Sequence, residues 1–214
     1  MKIIKSPYFL IFILAILNLS IAFFLLPYPL ELNGDSPSYL IAMQFLEGKE
    51  YDPGVYGKDT EVFLKTRILT TPLMLYSSII LGRLAGDEYS GMLLTNIIFY
   101  FLIIFVFYKL IYLIYKSRQV AFLGLILFFT NYNMTNYGIT FRSDIGGWFF
   151  FLLTTFLAVK YFYNPAQKKN YYLAILSASI GVLFKEYGAL GMIPLGFLIL
   201  FLNENFLNKL KKIL

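Results

Sequence analysis

Two side chains are missing altogether, for the chain contains no cysteine and no histidine. Without cysteine there is no disulfide, thiol nucleophile or thiolate metal site, and without histidine there is no imidazole base, haem ligand or His-type zinc site. Proton transfer must therefore fall to carboxylates, tyrosine or lysine. Charge is scarce as well: Asp, Glu, Lys and Arg make up 14% of 214 residues, against 59% hydrophobic and 20% aromatic. Such a composition cannot cover a water-soluble domain with polar surface. There is no Gly-rich phosphate loop, which leaves a soluble nucleotide substrate without support. Internal repeats, low-complexity tracts and a second soluble domain are likewise not seen.

What the chain does contain is long apolar runs, at 8–26, 68–85, 91–115, 120–136, 145–163 and 171–203. Several reach the roughly 20 residues that span a bilayer as a helix, so the fold class expected is all-α and polytopic in the membrane. The first run exceeds the apolar core of a secretory signal and has no small-x-small cleavage site after it, and we read it as a retained span. The last run, 33 residues long, is too long for one crossing of a roughly 30 Å hydrocarbon core. It is expected to fold back near Tyr187, Gly188 and Gly191 into two short helices.

The net charge of +6 lies in small groups along the chain, a pattern that speaks to membrane orientation and not to nucleic acid. If 68–85 lies at the interface instead of crossing, then Lys2 and Lys5, Lys116 and Arg118, Lys168 and Lys169, and Lys209, Lys211 and Lys212 all become cytoplasmic. Pro72 and Arg83 within that run also favour a surface position. The expected topology is a single transmembrane module over 1–214 with crossings at 8–26, 91–113, 119–136, 145–163, about 171–187 and about 189–203.

One long external loop, 27–90, then holds nine of the twelve acidic residues. Within it Ser36 and Pro37 pair as cap and first turn, and Tyr39, Ala42, Met43 and Leu46 follow at helical spacing until Gly48. Asp35 is thereby placed at the head of an interfacial helix. Residues 51–62 read as turn-rich. Outside the loop, Asp144 follows Arg142 and opens an apolar helix whose Gly146 and Gly147 permit close approach by another helix or a ligand. Lys185 and Glu186 interrupt an otherwise apolar run, as a snorkelling pair or as an anion site. The topology brings the loop, Asp144 and Lys185-Glu186 to one face. Tyrosine and phenylalanine are abundant and read mostly as membrane-belt and packing residues.

The order of these features carries a resemblance: an N-terminal span, GDSPSYL heading an interfacial helix, a second helix near TTPLMLYSSIILG, FRSD at the mouth of a later span and a final LFKEYGALG. It is similar to the GT-C glycosyltransferases, in the branch that contains protein O-mannosyltransferases and the bacterial aminoarabinose transferase of lipid A. That resemblance implies two interfacial helices in the first loop, a catalytic Asp matching Asp35, a second acidic residue matching Asp144 and a phosphate-binding lysine matching Lys185. Two departures stand out. The family shows an Asp-Glu pair where this chain has Asp35 and Ser36, and its members are commonly much longer, so that the chain corresponds to an N-terminal part of the catalytic module and is expected to be a truncated form.

The function so implied is transfer of a sugar, hexosyl or pentosyl, from a polyprenyl-phosphate-linked donor to an extracytoplasmic lipid, glycan or protein acceptor. Asp35 is expected to act as the base, Arg142, Asp144 and Lys185 to bind the donor, with Arg142 and Lys185 on its phosphate, and Tyr39 and Glu186 to support them. No cofactor is implied, and nothing in the residues supports a divalent cation. A bacterial source would put the protein in the inner membrane with its site outside. Two other readings stay open on the residues: a transport or channel component with an ion path through Asp144, Arg142, Lys185 and Glu186, and an inactive membrane fragment.

Overall fold

The computed structural model describes residues 7–25, 36–52, 57, 59–131, 135 and 144–202. Among these every regular element is helical: α1 Pro7–Leu25, α2 Ser36–Leu46, α3 Thr60–Thr70, α4 Pro72–Ala85, α5 Glu88–Tyr115, α6 Arg118–Phe129, α7 Asp144–Tyr163, α8 Lys168–Phe184, a 3₁₀ turn Glu186–Gly191 and α9 Met192–Leu202. The protein is an all-α polytopic membrane protein. Three of the described helices, α1, α5 and α7, are long and apolar enough to cross a bilayer, and the α3–α4 pair, bent by 94°, would make a fourth if it were one broken span. Helix α6, with 12 residues, is shorter than a crossing, at about 18 Å for a rise of ~1.5 Å per residue.

Local chemistry sets the helix ends. At the start of α5 the Asp87 carboxylate accepts from the backbone N–H of Ser90 at 2.8 Å and from its hydroxyl at 2.8 Å, satisfying an otherwise open N–H of the first turn. Gly86, at φ 103°, ends α4 in the left-handed conformation that glycine adopts without strain. Gly48, at φ 67°, closes α2 in the same way. The expected break in the last apolar run is present: α8 stops at Phe184, and the 3₁₀ turn carries the chain to α9.

Two expectations need correction. The helix anticipated over 68–85 is two helices, because Pro72 has no N–H and disfavours a helical conformation at the residue before it. Thr71 accordingly sits at φ −137°, ψ 45°, and residues up to Thr70 belong to α3. The segment read as turn-rich to residue 62 already becomes helical at Thr60. The first loop therefore contributes three described helices where two were expected.

These loop helices pack onto the bundle. Tyr39, Ala42 and Met43 of α2 join Met74, Leu75 and Ile79 of α4, Met92, Phe99 and Ile103 of α5, Ile145 and Phe149 of α7 and Phe184 of α8 in one buried apolar cluster. The α4–α5 hairpin crosses closely enough that a Cβ on Gly91 would lie 2.1 Å from the Ser78 carbonyl oxygen. On the far side, α1 packs against α5 and α6 through Ile11, Ala15, Tyr100 and Leu125. There the Tyr100 hydroxyl donates to Asn18 Oδ1 at 2.5 Å, fixing α1 to α5 by a polar contact inside apolar surroundings.

Candidate active site

Where α2, α3 and α7 meet the break after α8, charged and phenolic side chains converge. Lys185 is the joint between α8 and the 3₁₀ turn, with extended backbone at φ −166°, ψ 140°, and its N–H still donates to the Gly181 carbonyl at 2.9 Å. Its ammonium donates to the Tyr39 hydroxyl at 3.1 Å and lies 3.8 Å from Asp144 Oδ1 and 3.9 Å from Glu186 Oε1. The lysine is 9% exposed and Tyr39 1%. Burial at this level makes charge-assisted contacts stronger than they are in water, and makes an uncompensated charge costly.

Asp144 is the first residue of α7, where a carboxylate is favoured by the positive end of the helix dipole. It accepts from the Tyr187 hydroxyl at 2.5 Å, and the Tyr187 ring lies 5.2 Å from that of Trp148 one turn along α7. The α7 glycines admit this arrangement. A Cβ on Gly147 would come within 2.8 Å of both Lys185 Cβ and a Tyr187 ring carbon, and one on Gly146 within 2.7 Å of the Phe184 ring. The close approach expected at Gly146 and Gly147 is thus made by the chain's own Lys185 turn.

Arg67 of α3 reaches the same Tyr39 phenol. Its Nε donates to Ser38 Oγ at 2.9 Å and its Nη1 to the Tyr39 hydroxyl at 3.2 Å, while its guanidinium carbon sits 4.7 Å from the centre of the Tyr39 ring. One phenol oxygen therefore accepts from two cations. Of the residues anticipated from sequence, the structure brings Tyr39, Asp144, Lys185 and Glu186 together, with Glu186 itself exposed. Asp35 and Arg142 lie outside the described residues. Arg67, Ser38 and Tyr187 were not anticipated. Arg67 falls in a short helix with Lys65, Glu61 and three threonines, where an arginine reads as solvated unless its partner is known to be buried.

A second ionic group fastens the loop. Glu47, just past α2, pairs with Lys49 at 3.0 Å and accepts from Arg83 Nε of α4 at 3.0 Å, and Lys49 also bonds Glu88 at the head of α5. Hydrogen bonding from Lys49, helped by Arg83, holds the Glu47 carboxyl below its usual value against the opposing effect of burial. This group ties α2, α4 and α5 and does not touch the Tyr39 cluster in any contact described above.

Residues 70–214 match the family model of the dolichyl-phosphate-mannose-protein mannosyltransferases. The chain belongs to that family. No curated protein and no solved structure matches it. The mannosyltransferase match makes this a membrane glycosyltransferase of the GT-C type, in agreement with its helical architecture. Asp144, Lys185, Glu186 and Tyr187 fall inside the matched region of this glycosyltransferase, whereas Tyr39 and Arg67 precede it. The cluster therefore joins matched residues of the bundle to residues of the first loop.

Proposed function

We propose that the protein transfers a sugar from a polyprenyl-phosphate carrier to a hydroxyl or amine acceptor on the extracytoplasmic side, with 27–90 as the catalytic loop. The observation that carries this reading is the placement of Lys185: a nearly buried ammonium at the end of an apolar helix, facing the loop helices and flanked by Tyr39 and Asp144. A lipid phosphate suits such a position, because its chain stays among apolar helices while its charge meets the cation. Arg142, two residues before α7, is assigned to the same phosphate.

In the proposed reaction the acceptor attacks the glycosidic carbon while the bond from that carbon to the phosphate oxygen breaks. The bonding pair stays on the phosphate, and the acceptor proton passes to a base. With no histidine in the chain, Asp35 is the group assigned to take it; it immediately precedes Ser36, the first residue of the helix that carries Tyr39. Inversion at the carbon follows from a single displacement.

Substituting Asp35→Asn tests the assignment. An asparagine caps a helix about as well as an aspartate, so expression, detergent stability and donor binding should stay near wild type. Transfer should fall by roughly 10² to 10⁴, the usual cost of losing a general base. The assay is sugar transfer from a mannosyl polyprenyl phosphate by the reconstituted protein. A folded Asp35→Asn protein that still transfers at the wild-type rate would sink the role of Asp35, and Asp144 would be the next carboxylate to replace.

A further inference from the structure

Between α5, α6 and α7 lies a cavity of about 520 Å³. Ile103, Phe107 and Ile111 line it on successive turns of α5, over about 12 Å at a rise of ~1.5 Å per residue. Gly124 and Leu127 of α6 face them with Trp148 and Phe151 of α7. Leu127 is 65% exposed, so the cavity opens sideways, and α5 and α7 are both of spanning length, which puts that opening on lipid. Among the described residues no charged side chain lines it. Its polar groups are the Trp148 indole and Asn131, and both lie at one end, one turn into α7 and just after α6. The indole N–H has no hydrogen-bond partner among the described residues.

We infer that this cavity seats an acyl chain of a bilayer glycerolipid, with the ester carbonyl at the head of that chain accepting from Trp148 Nε1. The first reason is how polarity is distributed. A water molecule takes ~30 Å³ of the liquid and a methylene group is about as large, so the space admits well over ten methylenes. Water itself is a poor occupant, because each molecule needs about two to four polar partners and the cavity offers them at one end only. Lipid tails are as apolar as Phe107, Ile111 and Phe151, and a chain packed there gains contacts without desolvating a polar group. The second reason is charge. An isoprenoid carrier has its first oxygens on a phosphate, which calls for cations, whereas the polar end of the cavity presents only neutral donors. An ester carbonyl is neutral, directly follows the acyl chain and sits at the interfacial depth that indole rings favour. The site is separate from the Lys185 cluster but borders it through aromatic rings. The Trp148 ring lies 5.2 Å from that of Tyr187, whose hydroxyl donates to Asp144. A chain seated against Trp148 thereby becomes part of the packing behind Asp144.

Trp148 is the single tryptophan of the chain, so its fluorescence reports this site alone. The full chain in detergent micelles is titrated with a phosphatidylcholine brominated near the carbonyl end of its acyl chains, bromine being a contact quencher of indole. Quenching is expected to saturate while the lipid is still a minor part of the micelle, and unbrominated phosphatidylcholine should reverse it. The ether-linked analogue, which has no ester carbonyl, should compete about fivefold more weakly, the scale of one neutral hydrogen bond. Farnesyl phosphate should compete more weakly than the ester lipid. A Cβ at Gly124 would already meet Phe107 and Ile111 at 3.5 and 3.6 Å, so the longer side chain of Gly124→Leu fills the cavity. That variant should weaken binding by about tenfold or more through steric exclusion. Leu152→Phe, which fills the cavity from α7, should do the same and decides the matter if Gly124→Leu does not fold. Leu123→Phe, on the exposed face of α6, should change nothing. Quenching that rises in simple proportion to lipid, alike in the wild type and the filled variants, reports only a general lipid coat and overturns the site. Stronger competition by farnesyl phosphate than by phosphatidylcholine gives the cavity to an isoprenoid chain and overturns the glycerolipid assignment. Equal competition by ester and ether lipids overturns the contact with Trp148.

Discussion

Lys185 meets Tyr39 because the backbone around it lacks side chains at the points of closest approach. Gly147 leaves room for Lys185 and Tyr187, and Gly188 lies so close to α8 that an added Cβ would sit 2.4 Å from the Gly181 carbonyl carbon and oxygen. These obstacles differ in kind. At Gly188 the neighbour is backbone inside a helix, which cannot rotate away, whereas at Gly146 it is the ring of Phe184, which can. Gly188→Ala is therefore expected to cost on the order of 1 to 3 kcal/mol and to displace the Lys185 turn, with Gly146→Ala costing less. Thermal unfolding in detergent would rank the two, and equal stability of both variants would contradict the packing described for the turn.

At the scale of elements, α2 is fastened to α4 and α5 by ions at its end and by apolar packing along its length. The ionic part is pH-dependent in a defined sense. The Glu47 carboxyl has its value lowered from 4.5 by Lys49 and Arg83, so the stability from its pairing is complete above 4.5 and is lost as the pH falls through the lower folded value. Ion pairs with an exposed partner are screened by water and contribute little to global stability, so the effect belongs to the local docking of α2. Amide hydrogen exchange along Ser36–Leu46, corrected for the intrinsic rate at each pH, should speed up on acidification below pH 4.5 in the wild-type protein. In Glu47→Gln it should be faster already at neutral pH and respond less to acid. An identical pH response in the two proteins would remove Glu47 from the latch. The apolar contacts of Tyr39 and Met43 keep α2 seated when the ions are lost, and the helix loosens without leaving the bundle.

Across the whole molecule, the described carboxylates are confined to one end of the helices, together with several cations, and the other end carries cations alone. The described carboxylates lie on the loop helices or at the helix ends that meet them, while Lys109, Lys116, Arg118, Lys160, Lys168 and Lys169 are exposed around the opposite ends of α5, α6, α7 and α8. By the positive-inside rule such a division is expected to put the basic end in the cytoplasm. The chain has no native cysteine, so single cysteines report sidedness without background. A cysteine at Lys65 on α3 should react with a membrane-impermeant maleimide in intact cells, and one at Lys168 should react only after permeabilisation. Labelling of Lys168 from outside would reverse the orientation and put the Tyr39 cluster on the cytoplasmic face.

Sequence alone determined the features that depend on a residue's own neighbours in the chain. Apolar length marked α1, α5 and α7, three of the six crossings expected, as helices able to span, Ser36 and Gly48 bounded α2, and the glycines after Lys185 marked the break in the last run. Pro72 is visible in the sequence too, but a proline marks only where a helix can begin, and α3 before it is apparent only in the folded chain. The presence of Asp144, Lys185 and Glu186 at membrane ends was legible because an ionisable group in an apolar run is costly wherever the helix packs. Their partners were not. Tyr39 lies 146 residues from Lys185 and 28 from Arg67, and a tyrosine on an apolar helix face has the same local pattern whether it fills a core or holds a cation. Which of these it does depends on the way α2 and α3 settle on α7 and α8, and that was decided only by packing, where steric fit at Gly147 and Gly188 and the burial of Ser38 and Tyr39 bring distant residues within hydrogen-bonding reach.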